Sequence, residues 1–274
     1  MSIEVLISAM NQSSMELIEK SNIHSDCLVI NQCDRDEVIS EEKEYGTVRM
    51  ISTCERGLSR SRNMALRNSN ADICVLCDDD IVFHDGYEDM IKNAFEKISD
   101  ADVLVFNIKS VNTEVRKQEP YFKAVKRVPW YKSYSSVHIA FKRQKVLEKG
   151  IWFNERFGAG SGMYSMAEDS LFFADIHKSG LKVYTYPGVI ADLYSEKSTW
   201  FRGFDEKYFY DTGAFLRAAY PKLKYLLSFY YPLRLHNSTK LGLFKALKWE
   251  WNGIRGYKMQ KSYSDYISHF APKV

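Results

Sequence analysis

Three consecutive carboxylates, Asp78, Asp79 and Asp80, follow directly after the apolar run at residues 73–77. Adjacent acids repel one another, so a fold keeps them together where a counter-charge compensates. Oxygen ligands suit Mg²⁺ and Mn²⁺, and such an ion bridges protein carboxylates to a polyphosphate. The pattern predicts a metal and phosphate site at a strand end, and a solvated acidic turn is the alternative.

A second acidic pair, Glu168 and Asp169, follows the glycine-rich stretch at residues 158–162 and precedes a helical pattern. Acids in the first turn of a helix are favoured by the helix dipole without any catalytic role. Taken alone, this pair therefore favours a structural interpretation.

Short apolar runs alternate with amphipathic segments along most of the chain. Strands are predicted at residues 2–9, 27–31, 48–53, 73–77, 103–108, 136–141 and 183–186, the last closed by Pro187-Gly188, and helices at 59–69, 86–98 and from Glu168. This alternation predicts an α/β fold with a mostly parallel sheet, in which ligands bind beyond the carboxyl ends of the strands. Asn11, Asp34 and the three aspartates each follow a strand, so we expect them to converge.

The formal charge of +3 is distributed unevenly along the 274 residues. The first 216 carry 27 basic and 33 acidic residues, whereas the remainder carries 11 basic and two acidic ones. Such a split suggests different partners for the two parts. The first residues do not resemble a signal peptide, and the five cysteines favour reduced thiols over a disulfide framework, so we expect a cytoplasmic protein.

Four segments in this order resemble family 2 glycosyltransferases of the GT-A fold. They are a strand ending at Ser8-Ala9-Met10-Asn11, a strand ending at Asp34, the segment Gly57-Leu58-Ser59-Arg60-Ser61-Arg62-Asn63, and the Asp-x-Asp motif (Asp78, Asp80) paired with Glu168-Asp169. The resemblance covers about residues 2 to 200 and implies a GT-A type, Rossmann-like sheet flanked by helices. We assign residues 1–216 to this catalytic domain and 217–274 to a C-terminal helical, basic and aromatic appendage.

The resemblance implies an inverting enzyme that transfers a sugar from a UDP-sugar to a glycan acceptor. Mn²⁺ or Mg²⁺, held by Asp80 and Asp78, would neutralise the charge that develops on the diphosphate. The expected nucleotide-sugar-binding residues are Asn11, Asp34 (to the base), Gly57, Arg62, Asp78 and Asp79. Arg62 has two open roles, to complement the diphosphate or to hold the acidic cluster together.

Asp169 is the expected general base, because a sugar hydroxyl is a weak nucleophile until its proton is removed. Glu168 is expected to bind acceptor hydroxyls or to orient Asp169. Members of the family often have a metal-binding His after this helix, whereas residues 187–194 contain none, which leaves Asp192 as a candidate substitute.

The basic, aromatic tail leaves two interpretations open. It suits an interfacial helix on an anionic membrane, which a lipid-linked acceptor in surface polysaccharide synthesis would require, at the inner face of the cell membrane. Alternatively its aromatics pack on the catalytic domain or on a second subunit as a homo-oligomer contact. We expect no nucleic-acid partner. The rival functions are a nucleotidyltransferase with a two-metal site and a non-catalytic nucleotide-sugar-binding scaffold.

Overall fold

The computed structural model describes residues 1–111, 121–194, 201 and 203–270. The strands in these ranges are β1 (Ile3–Met10), β2 (Asp26–Gln32), β3 (Glu37–Lys43), β4 (Gly46–Thr53), β5 (Ile73–Asp78), β6 (Ile81–Phe83), β7 (Val103–Ser110), β8 (Lys126–Arg127), β9 (Ile139–Lys142) and β10 (Val183–Leu193). The helices are α1 (Glu16–Lys20), α2 (Leu58–Asn68), α3 (Tyr87–Lys97), α4 (Arg143–Glu148), α5 (Glu168–Lys178), α6 (Glu206–Ala219), α7 (Lys224–Leu227), α8 (Tyr230–Leu235), α9 (Leu243–Lys258) and α10 (Tyr263–Phe270).

All the strands belong to one sheet in the order β3-β4-β2-β1-β5-β9-β7-β10-β6, with β8 paired to β10. Strands β4, β2, β1 and β5 are mutually parallel, as are β7 and β10. Strand β9 joins the two groups by pairing antiparallel with both β5 and β7. The central strands are buried on both faces, which explains their almost continuous apolar sequences. The predicted α/β sheet flanked by helices is confirmed.

The prediction that a strand ends at Pro187-Gly188 is wrong, because β10 continues to Leu193. Its pairing with β7 shifts register between Thr185 and Val189, and this irregularity accommodates a proline that has no N–H to donate. Strand β3 was not predicted, because six of its seven residues are exposed and four are charged, so it lacks the alternation of a half-buried strand.

The C-terminal helices pack closely against one another and against the catalytic half. Helices α6 and α9 meet at glycines, since a Cβ on Gly213 would collide with the Glu250 carbonyl and one on Gly253 with the Tyr210 carbonyl. An apolar core, the C-terminal core, combines α6 with Phe157 and with Leu171 of α5. Helix α6 thus crosses the boundary placed at residue 216, while the division into two domains stays a prediction.

The large apolar side chains of the tail divide between the core and the surface. Trp249 and Tyr257 pack against the C-terminal core. In contrast, Leu226, Leu233 and Phe244 are 72%, 58% and 85% exposed. Among the described helices, none has the length and apolar character needed to cross a membrane.

Candidate active site

Helix α2 carries a row of buried polar side chains that join separate parts of the chain. Ser61 donates a hydrogen bond to Ser8 of β1 (2.8 Å), and Ser59 donates to the Phe157 carbonyl (2.7 Å). The Asn63 amide forms two hydrogen bonds with the backbone of Phe153, of 2.9 and 2.8 Å. Because these groups are satisfied only with all parts in place, α2 fixes the 153–157 segment relative to the sheet.

Arg62, on the same helix, connects the two acidic motifs. Its guanidinium lies 3.0 Å from Asp78 Oδ1, 2.8 Å from Asp169 Oδ1 and 3.7 Å from Glu168 Oε1. The side chain is only 4% exposed. Although burial lowers the pKa of the guanidinium, the charges of Asp169 and Asp78 outweigh it and the pKa is raised. Arg62 is therefore a fixed cation at the centre of an acidic cluster.

Glu168 has a raised pKa. Burial and the charge of Asp169 raise its pKa from 4.5 to about 7, against the opposing effect of Arg62. The loop approaches it closely at Gly158, where a Cβ would lie 3.2 Å from Glu168 Cδ and where φ is +99°. Glycine is required at this position for both reasons.

The loop that leads into Glu168 is strained and held from the C-terminal side. Ala167 has φ +76°, a left-handed conformation that is unusual for a residue other than glycine. Two residues earlier, Ser165 donates hydrogen bonds from its N–H (3.0 Å) and Oγ (2.9 Å) to Asp211 Oδ2 on α6. Lys207 donates to the same oxygen, and Asp211 is fully buried. After the strained residue, Ser136 N–H donates to Asp169 Oδ2 at 3.1 Å.

Asn11 and Asp34 follow neighbouring strands, Gly57 precedes α2, and each of these predicted nucleotide-sugar residues has a partner of its own. Asn11 follows β1 with φ +53°, and its N–H donates to the Gln32 carbonyl at 3.2 Å. The exposed Asp34 forms an ion pair with Arg56 at 2.5 Å, and Gly57 N–H donates to Gln32 Oε1 at 2.7 Å. The contacts of Arg62 thus join Asp78, Glu168 and Asp169, whereas none of these hydrogen bonds or ion pairs connects Asn11, Asp34 or Gly57 to that cluster.

The predicted metal ligands stand at the end of β5. Asp78 is the last residue of the strand and is 34% exposed, and the Asp80 carbonyl accepts from Tyr194 N–H at 2.9 Å. Across the residues that the structure describes, no three His, Cys, Asp or Glu side chains are grouped to hold a metal ion. Two carboxylates nevertheless fit Mg²⁺, which is usually bound by one or two of them together with substrate phosphates.

A histidine stands beside the predicted substitute ligand Asp192. His84 Nε2 lies 3.1 Å from Asp192 Oδ1, because β6 and β10 pair antiparallel with Asp192 opposite Val82. His84 was not predicted, because it precedes the Glu-Asp helix in sequence and reaches Asp192 only through strand pairing. Asp211 was also missed, since nothing in its helical sequence distinguishes it from a surface acid.

Comparison with known proteins gives a family and several similar crystal structures. The family model described as glycosyl transferase family 2 matches residues 5–161. A crystal structure of S. aureus TarS 1–349 in complex with UDP-GlcNAc has a TM-score of 0.62 at 12% identity, covering 96% of this chain and 93% of that chain. The TarS complex with UDP gives 0.61 at 14% identity with the same coverage.

A further TarS crystal structure matches over all of this chain and 46% of that chain, with a TM-score of 0.57 at 14% identity. At such low identity the likeness establishes the fold, a GT-A type sheet with a helical C-terminal region. Among curated proteins, no sequence match was found.

Proposed function

Because the chain belongs to glycosyl transferase family 2, we propose that it is an inverting enzyme that transfers a sugar from a UDP-sugar to a glycan acceptor. The observation that carries this proposal is the ion-pair network of Arg62. One guanidinium contacts both Asp78, at the proposed donor side, and Asp169, at the proposed acceptor side. The reacting atoms of donor and acceptor must come within about 3–3.5 Å of each other, so the two motifs have to be neighbours in space.

In the proposed reaction, the acceptor hydroxyl attacks the anomeric carbon of the donor sugar. A new carbon–oxygen bond forms as the bond to the diphosphate breaks, UDP leaves with the electron pair, and the hydroxyl proton passes to Asp169. Attack from the side opposite to the leaving group inverts the anomeric configuration. Ser136 N–H and Arg62 fix the two oxygens of Asp169 and so orient the carboxylate.

Glu168 is a second candidate for the base, and its raised pKa favours this role. A general base works best with a pKa near the working pH, and that of Glu168 is raised to about 7. Asp169, in contrast, has a direct contact with the Arg62 guanidinium at 2.8 Å. If Glu168 is the base, the rate rises through pH 7 and Glu168→Gln abolishes transfer. If Asp169 is the base, Glu168→Gln still transfers sugar and Asp169→Asn does not.

The metal site belongs to the same proposal. Asp80 and Asp78 would hold Mn²⁺ or Mg²⁺, which supplies Lewis-acid neutralisation of the leaving diphosphate when bound. Asp79 and Asp78 would also contact the nucleotide, Asp34 the base, and Asn11 and Gly57 the walls of the donor site. Arg62 contacts Asp78, so its guanidinium would help to balance the charge of a diphosphate bound beside Asp78.

The acceptor is proposed to be a lipid-linked saccharide used in cell-surface polysaccharide synthesis at the inner face of the membrane. The exposed apolar side chains Leu226, Leu233 and Phe244 support this placement, because they share the tail with 11 basic residues. Apolar side chains among cations favour an anionic lipid surface.

The direct test is to incubate the protein with a panel of UDP-sugars and glycan acceptors, with and without Mn²⁺, and to measure UDP. We expect UDP release that depends on one donor sugar and on the metal. Release of pyrophosphate in place of UDP would indicate a nucleotidyltransferase, and UDP binding without turnover would indicate a scaffold. Either result would contradict the proposed function.

A further inference from the structure

A cavity of about 530 Å³ lies between the catalytic half and the C-terminal helices. Its walls come from residues 130–133, from α5, and from α6, α7 and α8. This volume falls in the range of roughly 300–1,000 Å³ that is usual for small-molecule sites. The predicted nucleotide-sugar residues and the aspartate cluster are not part of its lining.

The lining combines aromatic rings with positive charge. Trp130 and Tyr131 are 57% and 64% exposed, although large aromatic side chains are usually buried. Tyr230 also lines the cavity, and Lys132 and Arg234 are the charged residues. The described lining contains no Asp or Glu, so the cavity favours a neutral or anionic ligand over a cation.

The cavity is adjacent to the catalytic acids. A smaller cavity of about 250 Å³ is lined by Glu168 and Asp169, and it shares Ser133 and Ser170 with the large one. The two serine hydroxyls form a hydrogen bond of 3.1 Å at this junction. Ser170 follows Asp169 directly in α5, so a ligand that fills the large cavity reaches the acids by extending past this serine pair.

We propose that this cavity binds the acceptor as a saccharide that carries an anionic group, a phosphate or a carboxylate. The C–H faces of sugar rings are apolar and pack on the exposed faces of Trp130 and Tyr131. Lys132 and Arg234 contact the anionic group through charge-assisted hydrogen bonds. The serine pair marks where the reacting hydroxyl passes toward Asp169, and in this respect the inference rests on the proposed function.

The test measures binding of three probes in the presence of saturating UDP at constant ionic strength. The probes are methyl glucoside, glucose 6-phosphate and glucuronate, and binding is followed by ligand-observed NMR titration. Added UDP occupies the donor site, so a phosphorylated sugar cannot bind there. The variants are Trp130→Ala, Lys132→Gln combined with Arg234→Gln, and the matched control Tyr121→Ala, whose side chain is 64% exposed and lies outside the cavity.

We expect the wild-type protein to bind at least one anionic probe about tenfold more tightly than methyl glucoside, as charge-assisted contacts imply. Trp130→Ala should weaken probe binding by about tenfold relative to Tyr121→Ala. The double charge variant should bind the three probes equally. Whether glucose 6-phosphate or glucuronate binds better identifies the anionic group.

The inference is overturned if no probe binds saturably, or if Trp130→Ala binds the probes as the control does. UDP affinity is measured first, by calorimetry, in all variants. If UDP does not bind to the wild-type protein, the proposed function fails, and the probe titrations still decide whether the cavity is a saccharide site.

Discussion

The two acidic motifs are held in different ways. Asp78 ends a central strand and follows a run that is buried on both faces, so its position is set by the sheet. Glu168 and Asp169 follow a strained loop whose contacts come from elsewhere in the chain, namely Asp211 on α6 and Arg62 on α2. Asp78, in the proposed donor half of the site, is therefore built into the sheet, whereas Glu168 and Asp169, the proposed acceptor half, depend on the C-terminal helices.

The C-terminal helices help to hold the glycine-rich loop beside the acids. Arg156, beside the glycine-rich loop, stacks on the ring of Tyr257 at 4.1 Å and donates to its carbonyl at 3.1 Å. Together with the Asp211 contacts, this means that α6 and α9 restrain both ends of the loop. Perturbing the C-terminal helices should thus change catalysis more than it changes donor binding.

The largest expected effect comes from Arg62, which belongs to both halves. Arg62→Gln leaves Asp78, Glu168 and Asp169 close together without their cation, so we expect a loss of about 3–5 kcal/mol of unfolding free energy together with loss of transfer. Denaturant unfolding monitored by circular dichroism measures the first effect. Arg60→Gln, at a more exposed position on the same helix, is the control and should change stability by less than about 1 kcal/mol. Equal losses in the two variants would contradict the central position of Arg62.

The donor half was largely predictable from sequence, and the acceptor half much less so. Asp78 follows a continuous apolar run, and such a run indicates both a buried strand and where it ends. Arg62 was predicted to have one of two roles. In the structure it contacts Asp78 and Asp169, and its role toward the diphosphate stays a prediction. Asp211 and the serine pair could not be predicted, because their partners are distant in sequence and no periodic pattern records such contacts.

The next effect tests the acceptor half alone. Asp211→Asn removes the negative charge of the carboxylate that accepts hydrogen bonds from both Lys207 and Ser165. The loop before Ala167 should therefore lose its restraint. We expect kcat to fall by about tenfold or more, as for a small misplacement of a catalytic group, with little change in KM for the donor. Asp175→Asn, an exposed acid on α5, is the control. A rise in donor KM with unchanged kcat would show that Asp211 does not act through the catalytic loop.

A third effect concerns the pH dependence of stability around Glu168. Its pKa is raised to about 7, so the folded protein holds a proton between about pH 4.5 and 7 that the unfolded chain has lost. Stability due to this group therefore falls as the pH rises through that window. Glu168→Gln should flatten the fall in Tm between pH 5 and 7 measured by calorimetry. An unchanged slope would mean that Glu168 titrates normally.

The smallest effect on activity is expected at Glu250, which lies in α9 away from the acids. Burial raises its pKa to about 9, and among the described residues neither carboxylate oxygen has a hydrogen-bond partner. The folded state again retains a proton, so stability falls as the pH rises toward 9. Glu250→Gln should stabilise the protein at pH 8 by an amount on the order of 2 kcal/mol and leave kcat nearly unchanged. Destabilisation at pH 8 would show that the carboxylate has a partner.

The most direct test of the two-sided site compares Asp78→Asn with Asp169→Asn, using UDP binding by calorimetry with Mn²⁺ and transfer by UDP release. We predict that Asp169→Asn binds UDP like the wild-type protein while transfer falls by about 10²–10⁴-fold, the range for loss of a general base. Asp78→Asn should lose UDP and Mn²⁺ binding. If both variants lose UDP binding equally, the separation into donor and acceptor halves is wrong, and if Asp169→Asn still transfers sugar, Asp169 is not the base.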